Sequence, residues 1–168
     1  MLWIYEKLYN LKNFGIRGES LVTEVGANAK MNEFCAIMGL CNLKHLEEAI
    51  ESRKHVFDTY VSALENVEGI DVFRIVKEGE TNNYAYFPIL VQDGYRISRD
   101  ELYDKMHENG VFPRKYFYPI TSEQNCFRNK YKNMNLQNAR LLSGHVLTLP
   151  IYENMSEEDL NKVIDIML

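Results

Sequence analysis

Apolar residues recur at helical spacing from the first turn of the chain, at Leu2, Tyr5, Leu8 and Leu11, and Asn13-Phe14-Gly15 supplies a C-terminal stop. A helix is therefore predicted to begin almost at residue 1. With no capping residue ahead of it, the chain reads as a piece of a larger protein. Residues 16–25 form a connector with a short strand at Leu21-Val22-Thr23. Asn32 is placed to cap the next helix, whose opening run, Glu33-Phe34-Cys35-Ala36-Ile37-Met38-Gly39-Leu40-Cys41, is apolar on every side after Glu33. Such a run needs burial against something the chain does not itself supply. Apolar positions continue through Leu43, Leu46, Ile50, Phe57, Tyr60, Val61 and Leu64, while Glu47, Glu48, Glu51 and Lys54 mark a solvated face. The pattern predicts one helix over 31–64, about 50 Å long at 1.5 Å per residue, bridging two structural units and kinked near Gly39.

After Val67-Glu68-Gly69 the period changes to that of strands, at 70–75 and 83–91, joined by a polar loop over 77–82. Pro88 places its strand at an edge or a bulge. Ser98 caps a helix over 99–109, with Glu101 completing a capping box and Gly110 ending it. Residues 111–119 are extended and aromatic between Pro113 and Pro119. Residues 126–142 are polar with helical patches, 146–150 is a short strand, and Ser156 with Asp159 opens a last helix through a second capping box. The expected fold class is α+β: a long bridging helix followed by a small, mostly antiparallel sheet with helices on one face. Residues 1–66 form a linker segment and the long interdomain helix, and 67–168 a small α+β domain.

Composition narrows the function. The 168 residues are 46% hydrophobic and 26% charged, with a net charge of −5. Lys and Arg are scattered among acids, which argues against a nucleic-acid partner. No run is long enough to span a membrane and no signal-peptide pattern opens the chain, so a cytoplasmic protein without a membrane partner is expected. Cys35, Cys41 and Cys126 are odd in number and lack metal or redox spacing, in keeping with a reducing compartment. His45, His55, His107 and His145 lie far apart, and no metal site, nucleophile-base pairing or glycine-rich phosphate loop can be assigned. The chemistry concentrates in Gly26-Ala27-Asn28-Ala29-Lys30-Met31, where Asn28 and Lys30 offer an amide and an ammonium without an obvious local partner. The plainer alternative is that Asn28 shapes a turn and Lys30 is solvated.

That stretch, followed by Ala36, Gly39-Leu40, Leu43, Leu46, Ser52-Arg53 and Tyr60, resembles the G-x-N-x-[RK]-M helix of the DegT family of sugar aminotransferases. Leu149-Pro150-Ile151-Tyr152 with Ser156-Glu157-Glu158-Asp159 resembles the family's LP-x-Y segment and last helix, and Asn13-Phe14-Gly15-Ile16 the end of the helix after its cofactor lysine. The resemblance implies the C-terminal small domain of a fold type I enzyme. Such an enzyme uses pyridoxal 5′-phosphate to move an amino group from an amino-acid donor onto a nucleotide-linked keto-deoxysugar, for polysaccharide or glycan precursors. It implies a homodimer with sites at the subunit interface, Asn28 matching the asparagine that reaches the cofactor phosphate across it. Lys30 stands where an arginine is usual. Tyr116-Phe117-Tyr118-Pro119, preceded by Arg114-Lys115, takes the position of a His-Tyr-x-Pro stretch near the sugar nucleotide. It resembles the R-[RK]-Y-F-Y-P form of some dideoxysugar aminotransferases.

By this likeness Arg114 or Lys115 meets a pyrophosphate, Tyr116, Phe117 and Tyr118 pack on base or sugar, and thymidine diphosphate is the expected nucleotide. The plainer alternative, equal in weight, is that Phe117 and Tyr118 alternate between core and surface in a β segment. The family's Schiff-base lysine, the acid paired with the pyridine nitrogen and the stacking aromatic belong to an N-terminal large domain ahead of this sequence. No catalytic residue is assigned here, and the chain alone is expected to be inactive. Two other readings stay open: a sugar dehydratase of the same fold, and a non-catalytic dimerisation module acting through the apolar start of the helix near Met31.

Overall fold

In a computed structural model that describes residues 2–73, 80–131 and 133–168, the chain divides into two compact units, Met1–Leu46 and Glu47–Leu168. The sequence expectation set its boundary after Asn66 instead. The first unit opens with α1 (Leu2–Lys12). A helix end leaves carbonyls without partners, and here the returning chain takes them: the Ala27 amide donates to the Leu11 carbonyl and the Ala29 amide to the Lys12 carbonyl, both at 2.9 Å. Between them the chain turns through left-handed Phe14 and Gly15 and makes a two-stranded ribbon, β1 (Ile16–Arg17) against β2 (Leu21–Val22). β1 was not foreseen, and β2 covers two of the three residues expected to be extended.

The single helix expected over 31–64 is two helices, α2 (Glu33–Leu43) and α3 (Leu46–Leu64). The break lies at Lys44-His45, not at Gly39, which sits inside α2. Lys44 and His45 donate to the carbonyls three residues back, Cys41 and Asn42, each at 3.1 Å; this tightens the final turn and ends the i→i−4 ladder. Asn32 caps α2 as expected, its side-chain oxygen accepting from the Cys35 amide at 2.8 Å. No residue of α2 is buried in this chain.

The second unit carries the core. α3 is amphipathic and buries Val56, Phe57, Tyr60 and Leu64 at three- and four-residue spacing. They pack with a three-stranded antiparallel sheet, β3 (Ile70–Val72), β4 (Phe87–Val91) and β5 (Val146–Leu149), in the order β3-β4-β5. Phe87 lies edge-on to Phe57 with ring centroids 4.9 Å apart, and the Tyr60 phenol donates to the Pro150 carbonyl at 2.9 Å. The remaining helices are α4 (Arg99–Glu108), α5 (Arg128–Tyr131), α6 (Gln137–His145) and α7 (Glu157–Met167).

Both strands of the expected hairpin are shorter than their apolar runs. β3 ends at Val72, one residue before Phe73, and residues 74–75 of that expectation, with 77–79 of the loop over 77–82, fall outside the described residues. β4 starts only at Phe87, because Asn82 and Asn83 fold back on the amides of Tyr84 and Ala85, at 2.8 and 3.1 Å, and Tyr84 is left-handed. The edge position expected from Pro88 is also corrected, since β4 is the central strand. Proline is accommodated there because the β3 ladder closes at Val72↔Ile89; among the described residues the partner strand at Pro88 is β5, through Thr148. The α4 capping box forms in full between Ser98 and Glu101. At α7 it does not. Ser156 accepts from the Asp159 amide, but the shorter Asp159 carboxylate takes the Ser156 hydroxyl at 2.8 Å in place of the cap's own amide.

Candidate functional site

The two groups of residues singled out in the sequence lie in different units, and each unit gives its group a defined backbone. In the first, Asn28 pairs with Asn13 and is flanked by the Ala27 and Ala29 hydrogen bonds to the end of α1. The approach is close enough to require glycine twice. A Cβ on Gly15 would lie 1.7 Å from the Glu24 carbonyl oxygen, and one on Gly26 would lie 2.4 Å from the Gly15 nitrogen. The side chains of Asn28 and Lys30 are exposed, and the Lys30 ammonium stands 5.2 Å from the centre of the Phe14 ring. Among the described residues no hydrogen bond engages the Asn28 amide. An amide donor and a cation on a pinned extended backbone form an anion-accepting edge.

In the second unit the structure brings Arg114, Lys115, Tyr116, Phe117 and Tyr118 together at the open side of β5. Arg114 exchanges two backbone hydrogen bonds with Thr148, at 2.9 and 2.8 Å, so the segment starts as a short extension of the sheet. It then turns, the Tyr118 amide donating to the Lys115 carbonyl at 2.9 Å; the Tyr116-Phe117 and Tyr118-Pro119 bonds are cis. Tyr116 and Phe117 stack at 4.7 Å, and Tyr86 meets Tyr116 edge-on at 5.8 Å. Both stacked rings line a cavity of about 730 Å³, together with Thr121, Ser122, Tyr131 and Ser143 and an apolar wall that includes Leu142 and Val146. Among the described residues no cation lines it, and this lining suits an uncharged ring or methyl group.

Sequence reasoning missed the groups that hold this segment. Lys115 is partly buried and its ammonium lies 2.5 Å from Asp100 Oδ1 and 4.1 Å from the Tyr103 ring centre. Asp100 is held below the usual carboxylate range by the Lys115 hydrogen bond first and by Arg99 beside it. Arg99 is only 5% exposed. Its guanidinium meets Asp100 at 2.7 Å, donates to the carbonyls of Ser143 and Val146 at 3.1 and 3.2 Å, and lies 4.7 Å from the Tyr118 ring centre. Ser143 in turn donates its hydroxyl to the Phe117 carbonyl at 2.6 Å. In the sequence Arg99 and Asp100 were simply the first two residues of a capped helix, and no local signal marked them. Arg114 differs from Lys115: its side chain is exposed, with no hydrogen bond or ion pair among the described residues.

Among the described residues there is no cluster able to hold a metal ion, and no helix is long and apolar enough to cross a membrane. The profile described as the DegT/DnrJ/EryC1/StrS aminotransferase family matches residues 3–168. A dTDP-4-amino-4,6-dideoxy-D-glucose transaminase of Escherichia coli is 40% identical over 167 residues, covering 96% of this chain and 44% of the relative. An enzyme of the same name from Shigella dysenteriae is 32% identical over 160 residues, covering 95% and 43%. Among solved structures, DesI in the presence of its TDP-sugar product superposes with a TM-score of 0.80 at 27% identity, over 96% of this chain and 41% of that one. Likeness of fold extends to S. venezuelae DesV, with a TM-score of 0.82 at 21% identity over 97% of this chain and 43% of that one. The chain thus spans less than half the length of the relatives it matches.

Proposed function

The chain belongs to the DegT/DnrJ/EryC1/StrS aminotransferase family, and from that premise we propose that it is the small-domain part of a nucleotide-sugar aminotransferase. The reaction moves an amino group from an amino-acid donor to a nucleotide-linked keto-deoxysugar. The observation that carries this reading is the 40% identity, over nearly the whole chain, to a transaminase named for a dTDP-linked 4-amino-4,6-dideoxysugar. The substrate class proposed is accordingly a thymidine-diphosphate-linked 6-deoxy-keto sugar, handled in the cytoplasm.

The cofactor proposed is pyridoxal 5′-phosphate, and the exposed amide of Asn28 beside the ammonium of Lys30 fits its phosphate. When bound, it supplies the electron sink through which an amino group leaves one partner and joins the other. Asn28 donates a hydrogen bond to a phosphate oxygen, and Lys30 adds a point charge without the two-pronged geometry of arginine. Their backbone is set by the Gly15-Gly26 crossing, so little ordering is left to be done on binding. Arg114 meets the diphosphate of the substrate, and Tyr116 and Phe117 offer ring faces to the uncharged sugar or base at the mouth of the apolar cavity. The lysine that the family joins to the cofactor is assigned to no position of this chain; it comes from a large domain and the working unit is a homodimer.

The test is amination of the 4-keto form of dTDP-6-deoxyglucose, with glutamate as donor and pyridoxal phosphate present, followed by mass spectrometry of the sugar nucleotide. The protein that carries this chain with a large domain should form the amino sugar, and the 168 residues alone should not. Cofactor binding without amination of any keto-sugar nucleotide would overturn the reading.

A further inference from the structure

Of the two cations in the aromatic segment, only one is available to a ligand. Lys115 is taken up by Asp100 at 2.5 Å and covered by the Tyr103 ring, whereas Arg114 is exposed and unpaired among the described residues. Asp100 does not belong to the segment. It sits in the first turn of α4, next to the buried Arg99, whose guanidinium ties the carbonyls of Ser143 and Val146 to the Tyr118 ring. From the other side Ser143 holds the Phe117 carbonyl. The segment is therefore gripped at Lys115, Phe117 and Tyr118 by groups from α4 and α6, and at Arg114 by the Thr148 backbone.

We infer that Arg99, Asp100 and Lys115 are positioning residues that fix the aromatic segment, so that of its two cations only Arg114, proposed above to meet the diphosphate, is left to the substrate. This rests on the proposal that the segment faces a nucleotide sugar. It reverses the ordinary expectation for two adjacent basic residues, because the lysine charge is spent inside the protein. The physical reason is geometric. A carboxylate that already accepts from Lys115 and pairs with Arg99 would have to give up a short charge-assisted contact before the ammonium could turn to a phosphate.

The inference makes opposite-sign claims for Asp100. If Lys115 served the ligand directly, Asp100→Asn would release its charge and tighten binding. As a positioning pair, Asp100→Asn and Lys115→Met must weaken binding alike, and the double variant must be no worse than either single. The probe is thymidine 5′-diphosphate, titrated into the protein by calorimetry. Each single change is expected to weaken it roughly threefold to fivefold, whereas Arg114→Gln weakens it at least about tenfold and flattens its salt dependence. Hydrogen exchange gives a reading without ligand: the Tyr118 amide should exchange at least about tenfold faster in Asp100→Asn and Lys115→Met, while the β4–β5 ladder stays protected and shows the fold intact.

Tighter binding by Asp100→Asn, or an unchanged Tyr118 amide, overturns the positioning role. Unchanged binding by Arg114→Gln overturns the assignment of the anion contact. If the parent protein binds no thymidine diphosphate, the substrate reading of the segment and the role of Arg114 fall together, and the exchange rates alone still judge the grip on the segment.

Discussion

The isolated chain is expected to self-associate through α2, and replacing Phe34 by Asp should convert it into a monomer without harming its folding. In the isolated chain Phe34, Ile37, Met38, Leu40 and Leu43 of α2 are 83, 57, 61, 64 and 65% exposed. Full burial of such side chains contributes about 1.5–3 kcal/mol each, so covering what remains open is worth about 5–10 kcal/mol per copy. In a symmetric pair both copies contribute, about 10–20 kcal/mol gross, against an association cost of about 4–15 kcal/mol. The surplus lies in the range of a micromolar complex, for which about 8 kcal/mol is needed. Asp at position 34 removes the most exposed ring from both sides and adds two charges that association would have to desolvate. Because position 34 lies in the first turn after the Asn32 cap, the new carboxylate faces the positive end of the helix and favours it. Loss of association therefore cannot be put down to melting, and far-ultraviolet circular dichroism should show unchanged helix content. Sedimentation at about 10 µM is the assay. A parent chain that sediments as a monomer, or a variant that associates as strongly as its parent, would refute the reasoning.

Three further outcomes follow from the geometry. Asn28→Ala, in the protein that carries this chain, should weaken pyridoxal phosphate by about 1.5–3 kcal/mol, the value of a hydrogen bond to a charged group, with an unchanged melting temperature because the side chain is exposed; equal affinities in a cofactor titration would assign Asn28 to turn geometry. Tyr60→Phe removes the donor to the half-buried Pro150 carbonyl and should cost about 0.5–1.5 kcal/mol in urea unfolding; no change in midpoint would mean that the phenol adds nothing beyond its ring. Asp100 titrates below its ordinary value of 3.8 in the folded chain, so its contribution to stability is present above that value and is lost as pH falls through the lower folded one. Melting curves of parent and Asp100→Asn should accordingly differ at neutral pH and converge in acid, and a constant difference down to the acid limit would rule out the ion pair as its source.

What was legible in the sequence is what local chemistry decides. Asn32, Ser98 and Ser156 each announce a helix start because the side chain serves an amide two or three residues on, and all three do so. The α+β class followed from the change of period after Gly69. The break at Lys44-His45 was not legible, since neither proline nor glycine marks it and the apolar spacing runs straight through. The late start of β4 is signalled by Asn82-Asn83, whose side chains compete with the ladder for backbone amides, although the apolar run beyond them points the other way. The grip on the aromatic segment was out of reach. A buried arginine is defined by what surrounds it, and Ser143 and Val146 are more than forty positions from Arg99, as their contacts record. The aromatic run between Pro113 and Pro119 is legible in the sequence and its link to a substrate comes from likeness, while the division of labour between Arg114 and Lys115 needed coordinates.

The pairing of Arg114 with Thr148 has a consequence for how the protein keeps to itself. An outer strand with unpaired amides and carbonyls is a template on which a second molecule can build, and small sheets are prone to such growth. On the β5 side part of that template, at Thr148, is already taken by the start of the aromatic segment, and on the β3 side the strand described is three residues long. The stretch proposed to meet the substrate thus also guards an edge. A change that loosens it for catalytic reasons would be expected to surface first as aggregation, in turbidity on standing, before any loss of helix or sheet signal.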